Sequence, residues 1–99
     1  MKTLSEIKSI LRSHAPELHE RYGISGLSVF GSVARGEANA GSDIDLLAVF
    51  DRPIGLFKLC AAENYLISLL GAEVDLVLRE DVRFSLKESI YAEAVPVLL

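Results

Sequence analysis

Three aspartates and one glycine-serine pair have the types and spacing that could support chemistry in this sequence. Asp43 and Asp45 flank one apolar residue at the start of an apolar run. On a β-strand their side chains project to the same side, with Cα atoms roughly 6.5 Å apart, and such carboxylates repel each other unless a cation or hydrogen-bond donors lie between them. Asp75 lies in a second apolar run and joins this cluster if the two strands are neighbours. Aspartate oxygens suit Mg²⁺, and three carboxylates can hold two such ions for phosphoryl or nucleotidyl transfer.

The pair Gly31-Ser32 supplies features that favour an anion. Glycine lets a phosphate approach the backbone closely, and a helix that begins here would present its free N–H groups to that phosphate. The Ser32 hydroxyl adds a donor, and Arg35 is placed either to reach a phosphate oxygen or to pair with Glu37. Each piece alone is weak evidence, since an Asp-x-Asp at a strand start is more often a solvated edge. Their occurrence in one order, with apolar runs on both sides, is stronger.

Hydrophobic periodicity, turn residues and capping residues predict the elements that must position these side chains. The second strand should be central, because both of its faces are apolar beyond the aspartates. The final helix is expected to break at Pro96, leaving a short apolar tail. The predicted helices are 3–13, 16–22, a short turn at 33–36, 55–70 and 79–93; the predicted strands are 25–30, 43–50 and 73–78.

Composition limits the class of protein. The chain has 99 residues and 51% hydrophobic residues, which indicates one globular domain over residues 1–99. The net charge of −4 argues against direct nucleic-acid binding, which needs a basic face. The N-terminus lacks the apolar core of a signal peptide and no run is long and apolar enough to span a bilayer, so we expect a cytoplasmic protein without a membrane partner.

Several residues outside the predicted site have interpretations of their own. The mean hydropathy of +0.35 indicates either a compact core or apolar surface that a partner or a second copy covers, and helix 55–70 and the C-terminal segment are the candidates for that surface. The one cysteine, Cys60, is interpreted as a reduced structural residue. His14 and His19 lack the spacing of a metal site and are expected to face solvent. Tyr65 and Tyr91 are interpreted as core or rim residues.

The segment GSVARGEANAGSDIDLLAV, from Gly31 to Val49, resembles the signature of the DNA polymerase beta-like nucleotidyltransferase superfamily. Its closer form is similar to the minimal nucleotidyltransferase (MNT) domains, small proteins that often pair with a HEPN-domain toxin as its antitoxin. The resemblance covers almost the whole chain, because EVDLV around Asp75 matches the third carboxylate strand of that family. It implies an α/β (α+β) fold, in which a small mixed β-sheet is flanked by helices.

The resemblance also implies an activity and a division of roles. Asp43 and Asp45 would ligate two Mg²⁺ ions, and Asp75 would ligate the catalytic ion and help activate the attacking hydroxyl. Gly31 and Ser32 would hold the triphosphate of ATP, with a less defined role for Arg35 in nucleotide binding. In antitoxin members the reaction is transfer of AMP to a tyrosine hydroxyl of the partner toxin, which blocks an RNase.

Three functions therefore follow from the sequence. The first is an Mg²⁺-dependent adenylyltransferase that modifies a partner protein. The second is a binding module that neutralises its partner by forming a complex, with the nucleotide site idle or regulatory. The third, transfer to a small molecule, is the least favoured because 99 residues leave no room for a second domain that would form the acceptor pocket.

Overall fold

A computed structural model of the chain describes residues 2–37, 41–79 and 93–98. Within these residues a four-stranded sheet is combined with four helices. The helices are α1 (Leu4–Ser13), α2 (Ala15–Tyr22), α3 (Gly31–Arg35) and α4 (Leu56–Leu70); the strands are β1 (Ile24–Phe30), β2 (Ile44–Phe50), β3 (Val74–Leu78) and β4 (Val95–Leu98). The predicted mixed α/β architecture is confirmed. The predicted helix 79–93 falls mostly on residues 80–92, which lie outside the described residues.

Local capping chemistry accounts for the ends of the helices. The Thr3 side chain accepts from the Glu6 amide while the Glu6 carboxylate accepts from the Thr3 amide, so a capping box begins α1. Helix α2 has a proline in its first turn and ends at Gly23, which has a φ of 74°. These signals are short-range, which explains why the predicted bounds lie within a residue or two of the observed ones.

The sheet has the strand order β3-β2-β1-β4, so β2 is an inner strand as predicted. Strand β2 runs antiparallel to β1 and parallel to β3. The parallel register aligns Asp45 with Asp75, while the antiparallel register aligns Asp45 with Phe30 at the end of β1. This pairing brings the two predicted carboxylate strands together and places the residue after Phe30 beside them.

The predicted apolar tail is wrong in one respect, because Val95–Leu98 forms the edge strand β4. It pairs antiparallel with β1, with Val95 opposite Val29 and Pro96 opposite Ser28. A proline is tolerated here because an edge strand has one side free of ladder hydrogen bonds. The sequence pattern missed this strand because four residues with a proline carry little strand signal.

The core forms where α1, α2 and α4 pack on one face of the sheet. Helix α4 contributes Ala62, Leu66 and Leu70, which are buried, while its first turn leaves Leu56 and Phe57 72% and 92% exposed. The second half of this helix therefore packs in the core, whereas its first turn leaves apolar side chains exposed; that a partner or a second copy covers them stays a prediction. The fully buried large side chains are Ile7, Leu11, Leu18, Ile24, Leu27, Val29, Ile44, Leu46, Leu66, Leu70 and Val97.

Two of the interpretations made for isolated residues need correction. His14 is half-buried, with its Nδ1 2.9 Å from the carbonyl oxygen of Ile10, so it does not simply face solvent. Cys60 is exposed on α4, so it has no packing role in the core. His19 is exposed as expected and pairs with Asp51. Tyr65 is half-buried at the rim, where its hydroxyl donates to Glu17, whereas Tyr91 lies outside the described residues.

None of the helices in the described part of the chain has the length and apolarity needed to cross a membrane.

Candidate active site

The three predicted carboxylates lie at one end of β2 and β3. Asp45 and Asp75 occupy paired positions of the parallel ladder, so their side chains project from the same face of the sheet. Asp43 immediately precedes β2 and is exposed, as is Asp75, whereas Asp45 is half-buried. Since Ile44 and Leu46 alternate with Asp45 and are buried in the core, the carboxylates lie on the opposite face.

The electrostatics of Asp45 reflect this crowding. Partial burial raises the pKa of its carboxyl, and the nearby carboxylates of Asp75 and Asp43 raise that pKa further. Arg35 acts in the opposite direction, while Glu93 adds to the repulsion. The site therefore holds more negative than positive charge, and a bound cation would favour the ionised form of Asp45.

Gly31 is packed against Asp45 and has a conformation that favours glycine. Its φ is 73°, in the left-handed region. A Cβ atom at this position would collide with Oδ2 of Asp45 and lie 3.0 Å from the Asp45 Cγ. The absence of a side chain thus lets the β1–α3 turn approach the carboxylate. Ser32, the next residue, is half-buried in the first turn of α3, a helix that packs against β1 and β2.

Arg35 lies in the last turn of α3, where it pairs with two carboxylates. Its Nε donates to Glu37 over 3.1 Å, and its Nη1 lies 3.2 Å from Oε1 of Glu93. Of the two alternatives for Arg35, the structure shows the pairing with Glu37. The hydrogen bond to Glu37, followed by the hydrogen bond to Glu93, raises the pKa of the Arg35 guanidinium.

Glu93 is the residue of this region that the sequence pattern did not single out. Its Oε1 accepts a hydrogen bond of 3.1 Å from the Gly31 amide, across 62 positions of the chain. A lone glutamate in a predicted amphipathic helix carries no signal for such a contact. The antiparallel register of β1 with β4 explains the contact. Val95 pairs with Val29, so Glu93, two residues before Val95, lies opposite Gly31, two residues after Val29.

A metal site is not preassembled among the described residues. In residues 2–37, 41–79 and 93–98, no three His, Cys, Asp or Glu side chains are grouped so that they could hold an ion. Mg²⁺ is usually held by one or two protein carboxylates with phosphate oxygens and water, so the aligned pair Asp45 and Asp75 has a suitable donor set. The roles of the three aspartates as metal ligands stay a prediction.

Comparison with known proteins agrees with this geometry. The family described as "Nucleotidyltransferase domain" matches residues 11–97 of the chain, which include every residue of the site described above. The chain belongs to this nucleotidyltransferase family. It is an enzyme of that class, as the names of its curated relatives also indicate.

A curated relative of this nucleotidyltransferase is the protein adenylyltransferase MntA of Thermococcus cleftensis. The two are 43% identical over 97 residues, which is 98% of each chain. A solved structure described as a minimal nucleotidyltransferase is 36% identical, with a TM-score of 0.73 over 93% of this chain and 89% of that one. These matches place the chain among the minimal nucleotidyltransferases related to MntA.

A more distant structure shares the fold. It is described as a tri-AMPylated Shewanella oneidensis HEPN toxin in complex with an MNT antitoxin, and it matches with a TM-score of 0.60 at 19% identity. The match covers 94% of this chain and 66% of that one.

Proposed function

We propose that this nucleotidyltransferase transfers AMP from ATP to a tyrosine hydroxyl of a HEPN-type toxin and so acts as its antitoxin. The alignment of Asp45 with Asp75, against the turn at Gly31, is the observation that carries the proposal. It places acidic oxygen ligands beside a backbone that a phosphate chain can approach closely. The name of the T. cleftensis relative supports an adenylyl group as the transferred unit.

In this proposal the aspartates bind Mg²⁺ and the turn binds the nucleotide. Asp43, Asp45 and Asp75 would hold the ion or ions, while Gly31 and Ser32 would face the triphosphate. When bound, Mg²⁺ supplies charge neutralisation of the phosphates and a lower pKa for the attacking hydroxyl. The chain's own contribution is a fixed spacing between carboxylates and turn, because β1, β2 and β3 are joined in one sheet.

The proposed acceptor is a protein because the AMPylated toxin of the S. oneidensis complex is paired with an MNT antitoxin of this fold. A tyrosine is the proposed acceptor residue because the resemblance to MNT antitoxins implies it, and a phenolic hydroxyl becomes a nucleophile when a nearby cation or base lowers its pKa. The reaction joins the phenolic oxygen to the α-phosphorus of ATP, breaks the α–β phosphoanhydride bond and releases pyrophosphate, while the phenolic proton passes to a base or to water.

The decisive experiment is intact-mass analysis after incubation with ATP and Mg²⁺. The purified chain is mixed with the protein encoded beside it, and both masses are measured, with peptide mapping of any modified chain. We expect the partner to gain one or more AMP units with the wild type and none with Asp45→Asn. Asp51→Asn is the matched control, because Asp51 follows β2 at its other end and should leave transfer unchanged. Equal transfer by Asp45→Asn and the wild type would exclude the proposed site.

A second candidate function is neutralisation by binding alone. The exposure of Leu56 and Phe57 favours it, since adjacent exposed apolar side chains can form part of a surface that a partner covers. A variant with both Asp43 and Asp45 replaced by Asn separates the two functions. If it binds the toxin and still protects cells from it, binding accounts for neutralisation; if it binds without protecting, transfer does.

A further inference from the structure

The carboxylate of Glu93 joins both ends of α3. Its Oε1 accepts from the Gly31 amide at the start of the helix over 3.1 Å. The Nη1 of Arg35, in the last turn, lies 3.2 Å from Oε1 and 3.3 Å from Oε2 of the same carboxylate. The side chain of Glu93 is only 29% exposed. One acidic group thus fixes a five-residue helix at two points.

Gly31 in turn limits where the Asp45 carboxylate can lie. No side chain fits between the Gly31 Cα and Oδ2 of Asp45, so a shift of the turn would change the space available to that carboxylate. The other attachment of Glu93 is β4, which pairs with β1 beginning two residues later at Val95. The contacts therefore form a path from the last strand through Glu93 and Gly31 to Asp45.

We propose that Glu93 is a positioning residue of the transfer site, whose carboxylate holds the Gly31 turn against Asp45 by accepting the Gly31 amide and pairing with Arg35. The inference rests on the proposed function, because it assigns Glu93 to the same site. Glu93 itself stays outside the chemistry, since its acceptor oxygens are already engaged by the amide and the guanidinium.

The contact between Glu93 and the Gly31 amide also allows the opposite interpretation, and the test must distinguish the two. A carboxylate on the Gly31 amide occupies a donor that a phosphate would use, so Glu93 would then compete with the triphosphate. The two interpretations predict effects of opposite sign. A positioning residue is needed for turnover, whereas a competitor weakens nucleotide binding and its removal strengthens it.

The test compares Glu93→Ala and Glu93→Gln with the matched control Glu37→Ala. Glu37 pairs with Arg35 as Glu93 does, but it makes no contact with the Gly31 amide. Removing a supporting group around a metal site typically costs about 10–100-fold in activity, so we expect a fall of that size in the kcat for AMP transfer by Glu93→Ala. Glu93→Gln should recover most of the activity, because its amide oxygen can still accept from Gly31. Glu37→Ala should stay close to the wild type.

Two further readouts distinguish the outcomes. The affinity for the non-transferable analogue α,β-methylene ATP with Mg²⁺, measured by calorimetry, should not increase in Glu93→Ala; tighter binding with preserved turnover would overturn the proposal in favour of competition. Hydrogen exchange of the Gly31 amide, followed by NMR, should be faster in Glu93→Ala but not in Glu37→Ala. Equal loss of activity in Glu37→Ala and Glu93→Ala would also overturn it, since the effect would then act through Arg35.

Failure of the proposed function gives a result that differs from failure of the positioning role alone. If the wild type transfers no AMP, the positioning role falls with it, even if the exchange of the Gly31 amide responds to Glu93→Ala. If the wild type is active and Glu93→Ala equals it in kcat, only the positioning proposal fails.

Discussion

Replacement of Gly31 by alanine tests the close approach between the β1–α3 turn and Asp45. The added Cβ would lie 3.0 Å from the Asp45 Cγ and collide with Oδ2, so the carboxyl group must move by about 1 Å to restore ordinary contact distances. A misplacement of about 1 Å at a reacting centre can cost about 100-fold in rate. We therefore expect kcat/KM for AMP transfer to fall by about 100-fold in Gly31→Ala.

Gly36→Ala is the matched control for backbone strain. Gly36 has a φ of 74°, against 73° for Gly31, and it ends the same helix. In the described part of the chain, no atom lies within 4 Å of a Cβ built there. Placing a Cβ on left-handed backbone costs roughly 1–2 kcal/mol, and each kcal/mol lowers the Tm by about 4–8 °C in a domain of this size. Gly36→Ala therefore measures the backbone strain that Gly31→Ala carries in addition to its collision with Asp45.

The assay pairs thermal unfolding, followed by circular dichroism, with AMP transfer measured from labelled ATP. The expected pattern is a fall in Tm for both variants, at least as large in Gly31→Ala as in Gly36→Ala, and a large loss of transfer in Gly31→Ala alone. Transfer by Gly31→Ala within a few-fold of Gly36→Ala would show that the position of the Asp45 carboxylate does not depend on Gly31, and the reasoning would be refuted.

Three further predictions concern stability. Leu66→Ala should lower the free energy of unfolding by about 2–5 kcal/mol because Leu66 is fully buried, while Phe57→Ala should change it by less than about 0.5 kcal/mol. Urea denaturation of both variants measures these changes, and a large effect of Phe57→Ala would contradict the exposure of Phe57. Arg52 and His19 lower the pKa of the Asp51 carboxyl to about 2, so its stabilising effect is present above its unfolded pKa and is lost as the pH falls through about 2. The Tm of Asp51→Asn should accordingly decline less than that of the wild type between pH 5 and pH 2, and parallel curves would exclude this linkage. Because the pKa of Asp45 is raised, its ionised form is disfavoured in the folded state, so Asp45→Asn should have an equal or higher Tm at pH 7 in EDTA; a clearly lower Tm would show that the charge is stabilising.

The sequence predicted most of the elements because their signals are local. The capping box at Thr3, the left-handed Gly23 at the end of α2 and the alternation around Asp45 involve residues no more than a few positions apart. The short edge strand β4 was missed, since Pro96 lies in it and its stability comes from pairing with β1. The tail carries no periodicity that distinguishes a strand from a loop.

The site likewise has features that the sequence predicts and features that only the structure shows. The sequence predicts a site from the types and spacing of four residues, Gly31, Asp43, Asp45 and Asp75. This is possible because alternation on a strand and the conformational freedom of glycine follow from the backbone alone. The sequence by itself therefore determined the chemical character of the site, an acidic cluster beside a glycine turn, and with it the family resemblance that the comparisons confirmed.

Only the tertiary structure decided which residues meet across the chain. The register of β2 with β3 aligns Asp45 with Asp75, and the register of β1 with β4 brings Glu93 to Gly31. Packing likewise determines that Leu66 is buried and Phe57 exposed on one apolar helix. Register and packing depend on the sum of contacts over the whole core, so no local pattern in the sequence encodes them.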